Sequence, residues 1–181
     1  MFRKILEDRL RKGPILKRLR NEVFKASTRI VDVATLDGSL QEDIKNSSSH
    51  IVIFSPFLTI NRVKLFLSMK TIIDALKRGI RVAVVTRPAA KRWVAAPEEQ
   101  RECIKMLSEN NIKVVEVEAL HFKAVIIDDK IIYLGSINVL SILPIEYYPP
   151  DYMIRFESEA LVDEIVENVL GKEKYYNEVL A

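Results

Sequence analysis

The sequence predicts an α/β domain, and three observations carry that expectation. Two short apolar runs, His50–Ser55 and Ile80–Thr86, are almost uninterrupted. Between them lies a stretch of helical periodicity. A later pair of runs, 122–127 and 131–135, is split by Asp128-Asp129-Lys130. Short runs without polar alternation are the mark of strands buried on both faces. Val63, Leu65, Phe66, Met69, Ile72, Ile73 and Leu76 recur at helical spacing, so one helix is expected over 61–78. Asn61 is its N-cap and Gly79 its C-cap. Residues 51–86 thus form a β-α-β unit with parallel strands and a right-handed crossover.

The other elements follow in order. Residues 2–26 read as two helical pieces divided at Gly13-Pro14, where proline cannot continue a helix. Arg29–Ala34 is a short strand. Asp37-Gly38-Ser39 is a turn leading into a helix over Leu40–Lys45. Arg87–Ala96 is a loop. Pro97 opens a helix, with Glu98 and Glu99 in its first turn where the dipole favours acids. It runs to Asn110. Ile112–Val117 is a strand, the pair 122–127 and 131–135 a hairpin, and Tyr152–Phe156 a last strand. A helix over 158–170 extends toward Val179. The expected organisation is a basic helical arm, 1–28, on one domain, 29–181.

Composition narrows the function classes. The chain has 181 residues, 49% hydrophobic and 29% charged, which suits one globular domain. The net charge of +3 hides an asymmetry. Residues 1–25 hold nine Lys or Arg against three acids, and the last forty hold nine acids against three basic residues. A basic arm suits a polyanion or is simply a solvated amphipathic helix. Cys103 is the only cysteine, which fits a reducing compartment. No apolar stretch reaches 18 residues, and the N-terminus lacks the apolar core of a secretory signal. A cytoplasmic protein without integral membrane association is expected.

Residues 121–138 carry the chemistry. His121 and Lys123 lie two apart on a strand, so both side chains share one face. A histidine can act as nucleophile or general acid near neutral pH. A lysine beside it offers a point charge to phosphate oxygens. Gly135 lets the backbone approach an anion closely, and the Ser136 hydroxyl and Asn138 amide donate further hydrogen bonds to it.

These residues read H-x-K-x4-D-x6-G-S-x-N, and here the chain resembles the phospholipase D superfamily. His121, Lys123, Asp128, Gly135, Ser136 and Asn138 fill all the fixed positions. A chance match in a chain this long is on the order of one in a million. The resemblance implies a mixed sheet sandwiched between helices. It implies His121 as the nucleophile that forms a phosphohistidine, with Lys123 and Asn138 on the non-bridging oxygens and Ser136 assisting. Asp128 would act mainly through structure. No cofactor or metal is implied. The family's downstream acid, which orients the histidine, matches Asp151, with Glu146 and Glu157 as alternatives.

The family's mechanism uses two histidines, and this chain carries one motif. Its other histidine, His50, has Val52 where a partner lysine would stand and reads as structural. A two-fold homodimer supplies the second copy of His121. Single-motif members of the superfamily built this way are nucleases, which favours nucleic acid, DNA first, over lipid. Ile51–Thr59, Val84–Pro88, Leu120–Asn138 and Tyr152–Phe156 also resemble phospholipase-D-type domains joined to helicases and other ATPases, so such a partner is implied. The alternatives are a phospholipase or phosphatidyltransferase, and a non-catalytic nucleic-acid-binding module.

Further contacts are suggested by composition. Arg87, Lys91, Arg92 and Trp93 combine charge with an aromatic, as single-stranded nucleic acid requires, although a solvated loop with Trp93 packed on the core is the competing account. Tyr147-Tyr148-Pro149-Pro150 suits a groove wall, a dimer contact or ordinary packing. Ser55 and Thr59 suit helix capping better than substrate contact.

Overall fold

The computed structural model describes residues 28–142 and 151–181. The proposed arm, Glu146 and the Tyr147–Pro150 loop lie outside the described residues. Seven strands form one sheet: β1 (Arg29–Asp32), β2 (His50–Phe54), β3 (Arg81–Thr86), β4 (Lys113–Glu116), β5 (Ala124–Ile127), β6 (Ile131–Gly135) and β7 (Tyr152–Glu157). Their order is β1-β7-β6-β5-β2-β3-β4. β2, β3 and β4 run parallel, whereas β5 joins β2 antiparallel and the remaining pairs are antiparallel. The sheet is therefore mixed and changes character at the β2–β5 seam.

Strand periodicity builds two cores. Ile51 and Ile53 face one side of β2, and Val52 and Phe54 the other. The first side is covered by α1 (Leu36–Lys45), α2 (Ile60–Ser68), α3 (Lys70–Lys77) and α4 (Pro97–Glu109), through residues such as Leu40, Phe66, Ile72 and Leu107. The second is covered by α5 (Glu159–Val169), a short turn α6 (Lys172–Lys174) and a π-helical turn over Tyr175–Val179, through Val162, Val166 and Tyr175. The result is the helix–sheet–helix sandwich that the resemblance implied.

Several boundaries differ from expectation for identifiable reasons. The expected helix over 61–78 is two helices, parted at Met69, whose ψ of 122° is extended. The Ser68 hydroxyl donates to the Leu65 carbonyl at 2.7 Å, competing with the helical ladder. The halves then pack on different neighbours, α2 on α4 and α3 on α1. Leu65 and Ile73 consequently point outward, at 48% and 37% exposure.

The helix start also moves. Asp37, Gly38 and Ser39 sit in the first turns of α1 and are no preceding turn. The Asp32 carboxylate accepts the Thr35 N–H at 2.9 Å and its hydroxyl at 2.7 Å, and this local loop ends β1 and launches the helix. Thr59, not Asn61, holds the N-cap position of α2, and its side chain makes no cap bond. The Glu99 carboxylate, reaching from α4, accepts the Ile60 N–H at 2.9 Å instead.

Candidate active site

His121, Lys123, Gly135, Ser136 and Asn138 lie at one end of the sheet, where β2, β3 and β6 finish and β5 and β7 begin, whereas Asp128 lies at the other. The first of these is the carboxyl end of the parallel strands, where open α/β sheets bind their ligands. His121, Phe122 and Lys123 precede β5 and are not part of it, because pairing with β2 begins at Ala124 opposite Phe54. His121 is exposed and Lys123 half-buried. The Lys123 ammonium donates to the His121 carbonyl at 2.8 Å, which folds the lysine back over the segment carrying the histidine.

Electrostatics show what surrounds Lys123. Burial lowers its pKa, the positive charge of Arg87 lowers it further, and the Asp151 carboxylate opposes both. Arg87, Lys123 and Asp151 therefore lie near enough at this end of the sheet for their charges to act on one another, although they come from the end of β3, the start of β5 and the start of β7. Asn138 and Asp151 line a common cavity of about 630 Å³ with Phe57, Ile137 and Tyr152. The Asn138 Oδ1 atom is buried and has no hydrogen-bond partner among the described residues.

Gly135 has a different neighbour from the anion expected. A Cβ there would lie 2.0 Å from the Tyr152 carbonyl oxygen and 2.7 Å from the Met153 Cα. What glycine permits at this point is the close approach of β7. Ser136 continues the same contact: its N–H donates to the Tyr152 carbonyl at 3.0 Å, and its hydroxyl accepts the Tyr152 N–H at 3.3 Å. The chain then makes a turn closed by the Ser141 N–H on the Asn138 carbonyl at 2.9 Å, not a helix.

Asp128 lies at the far end of β5 and organises backbone. Its carboxylate accepts the N–H groups of Ser48 (2.7 Å), Ser49 (2.8 Å) and His50 (3.0 Å), and the Ser48 hydroxyl at 3.0 Å. Burial pushes its carboxyl up, but these bonds outweigh burial and hold it below the usual range. Asp128 and Asp129 both adopt positive φ, 55° and 52°, in the hairpin turn. His50 is 5% exposed. Its Nε2 lies 3.0 Å from the Asp129 carboxylate and its Nδ1 3.1 Å from the Ser49 hydroxyl. Tyr175 also donates to Asp129, at 2.8 Å.

The loop after β3 is largely engaged. The Arg87 guanidinium donates to the carbonyls of Leu120 and Trp93 and lies 4.8 Å from the Phe57 ring centroid. Arg92 pairs with Glu118 at 2.6 Å and lies 5.0 Å from the Trp93 ring centroid. Trp93 is half-buried and Lys91 exposed. Ser55 is buried, donating to the Phe57 carbonyl at 2.9 Å and accepting the Leu140 N–H at 3.2 Å.

Gln100 is a structural residue that no motif marks. It is 2% exposed in α4 and accepts the Leu58 N–H at 3.0 Å. It donates to the Thr86 hydroxyl at 2.9 Å and the Arg87 carbonyl at 3.0 Å, tying the strand-end loops together. Its signal was present. Gln100, Cys103 and Leu107 share a helical stripe, and a polar residue at a core position needs partners. Cys103 itself is buried, and burial pushes its thiol up to about 11, with Glu99 and Glu102 adding to the effect, so it is no ready nucleophile.

The sequence profile of the family described as "cardiolipin synthase, PLD-like domain" matches residues 40–141, more than half of the chain. This chain belongs to the phospholipase D superfamily. Solved structures of the superfamily's fold agree. Nuc from Salmonella typhimurium, a phospholipase D family member, is 15% identical with a TM-score of 0.60, covering 79% of this chain and 91% of its own. NucT from Helicobacter pylori is 17% identical with a TM-score of 0.61, over 86% and 96% of the two chains. TrmBL2, an archaeal chromatin protein with a DNA-binding mode, is 14% identical with a TM-score of 0.51, over 98% and 64%. No curated protein sequence matches the chain. Among the described residues of this superfamily member, no helix is long and apolar enough to cross a membrane.

Proposed function

We propose that this chain is a metal-independent phosphodiesterase that cleaves nucleic acid, DNA first, in a homodimeric site built on two copies of His121. The observation that carries it is the unequal fate of the chain's two histidines. His121 is exposed beside Lys123, whereas His50 is buried and bonded to Asp129. Since the Asp128 N–H donates to the His50 carbonyl, His50 sits at the opposite end of β5, about 20 Å away along extended chain. It cannot serve the same phosphate, and this supports a second copy of the chain as the source of the second imidazole.

In this mechanism the His121 imidazole attacks phosphorus and the bond to the leaving oxygen breaks. The second copy's imidazolium protonates that oxygen. Lys123 and Asn138 hold the non-bridging oxygens, with Ser136 assisting, and Asp151 orients the histidine. The neutral imidazole of the second copy then removes a proton from water, which displaces His121 from phosphorus. Lys91, Arg92 and Trp93 supply outer contacts to the strand. The likeness to a DNA-binding chromatin protein supports nucleic acid as partner, and a helicase or other ATPase remains a proposed associate.

The test incubates the protein with labelled single- and double-stranded DNA and RNA in EDTA, beside His121→Ala. Cleavage by wild type alone is expected. A mobility shift without cleavage, indifferent to His121, would instead make the chain a binding module. Hydrolysis of phosphatidylglycerol vesicles with no nucleic acid cleaved would make it a lipid enzyme, as the family's description allows.

A further inference from the structure

We infer that Arg87 is a positioning residue for His121, a fork that clamps the backbone of the histidine's own loop rather than a contact to the substrate. This rests on the phosphodiesterase proposal above and extends it.

The loop 117–121 needs such a clamp. Ala119 has φ 55°, left-handed backbone that a non-glycine residue adopts only at a cost. The turn is closed by a long bond, the Leu120 N–H to the Val117 carbonyl at 3.4 Å. A conformation of this kind persists only where its surroundings hold it. Arg87 is the side chain that does so. Its Nε–H donates to the Leu120 carbonyl, one residue before His121, and its second arm donates to the Trp93 carbonyl at 2.9 Å.

The arginine is itself fixed on three sides. The Phe57 ring lies against the guanidinium, the Gln100 amide holds the Arg87 carbonyl at 3.0 Å, and Thr86, the preceding residue, donates its hydroxyl to the Ser55 carbonyl at 2.8 Å. A planar fork bonded to two carbonyls and stacked on a ring is a use of arginine that lysine cannot reproduce. With these donors occupied, the guanidinium still contributes its charge to Lys123, where it and the Asp151 carboxylate act in opposite senses.

Two substitutions separate geometry from charge. Arg87→Lys keeps the charge and loses the fork, while Arg87→Gln loses both. Both variants are expected to lower kcat about 100-fold with KM within about threefold, as for a misplaced catalytic group. Only Arg87→Gln should move the alkaline limb of the pH–kcat profile. The limb moves to higher pH, because groups that must stay protonated for turnover, Lys123 among them, keep their protons longer without the neighbouring positive charge. Phe57→Leu, which leaves Arg87 in place but removes the ring it rests on, should lower kcat by a smaller factor with no change in the limb. It serves if the Arg87 variants prove unfolded by circular dichroism.

Full activity in Arg87→Lys would overturn the inference, since charge alone would then suffice. A raised KM with unchanged kcat in Arg87→Gln would overturn it in favour of direct substrate contact. Wild-type kcat in Phe57→Leu would also count against it. All three comparisons require a wild type that cleaves, so an inactive wild type refutes the phosphodiesterase proposal and is told apart from these outcomes at once.

Discussion

A side chain on Gly135 would place its Cβ 2.0 Å from the carbonyl oxygen of Tyr152. The obstacle is backbone, which cannot swing aside as a flexible side chain would. Gly135→Ala must therefore part β6 from β7 or shift the Ser136–Tyr152 bonds that follow. Alanine's lower backbone entropy in the unfolded chain recovers about 0.5–1 kcal/mol, but overpacking of this kind costs about 1–3 kcal/mol and here more, so destabilisation wins. Urea denaturation should show a lower midpoint with an unchanged slope. An unchanged midpoint would mean that the strands are not held this close.

Asp128 and Asp43 predict how the protein meets acid. Both carboxyls are buried enough to be pushed up, yet both are held down. Asp128 is held by the backbone N–H groups of His50, Ser48 and Ser49, and Asp43 by hydrogen bonds from Arg155 and Tyr133. A carboxyl whose folded pKa is depressed contributes stability that is complete above its unfolded value of 3.8 and disappears as pH falls through the folded value. Stability should hold level between about pH 5 and 7 on this account and drop below about pH 4. Asp128→Asn should lie below wild type by about 1.5–3 kcal/mol at neutral pH and show a smaller acid loss. Equal acid curves for the two proteins would refute the role.

Arg155 is 8% exposed, and Asp43 is the partner that makes its burial tolerable. Two bonds join them, at 2.6 Å and 2.9 Å, and Tyr133 donates to the same carboxylate. Asp43→Ala leaves the guanidinium with only the exposed Glu157 carboxylate, 3.6 Å away, and should cost about 3 kcal/mol. Thermal denaturation measures this. The reverse variant, Arg155→Met, should cost less, because an apolar side chain can fill the same space.

Subunit mixing tests the shared site. Wild type and His121→Ala, unfolded together in equal amounts and refolded, should form hybrid dimers with one imidazole each. If both imidazoles are needed, about a quarter of the wild-type activity per chain remains. Half would remain if each copy worked alone. His50→Gln, by contrast, should lower the melting temperature and leave turnover as it was.

The motif was legible because its chemistry demands particular residue types at fixed spacing, and Asp128 was recognisable as structural by the same resemblance. The sandwich followed from runs such as Ile51–Phe54, which alternate between two cores without a polar residue. What escaped was decided by tertiary contact. The break at Met69 arises because α2 and α3 pack on different helices, which no local periodicity records. The contact of Gly135 with β7 was not legible, because nothing in the sequence says that residue 152 will lie beside it. Arg87 read as a nucleic-acid contact, and its clamp on the loop 117–121 was not legible, since its two acceptors are main-chain carbonyls that every residue possesses.

The seam between β2 and β5 joins residues that are far apart along the chain. Ile51 meets Ile127, and Asp128 reaches back to Ser48, whereas β2, β3 and β4 are linked by successive helices within one stretch. Closing the longer loop costs entropy before any contact repays it, and folding slows accordingly. The parallel half can therefore assemble while the hairpin is still unplaced. His121 and Lys123, just ahead of β5, acquire their surroundings only when that hairpin docks, so this fold completes its chemistry at the end of folding.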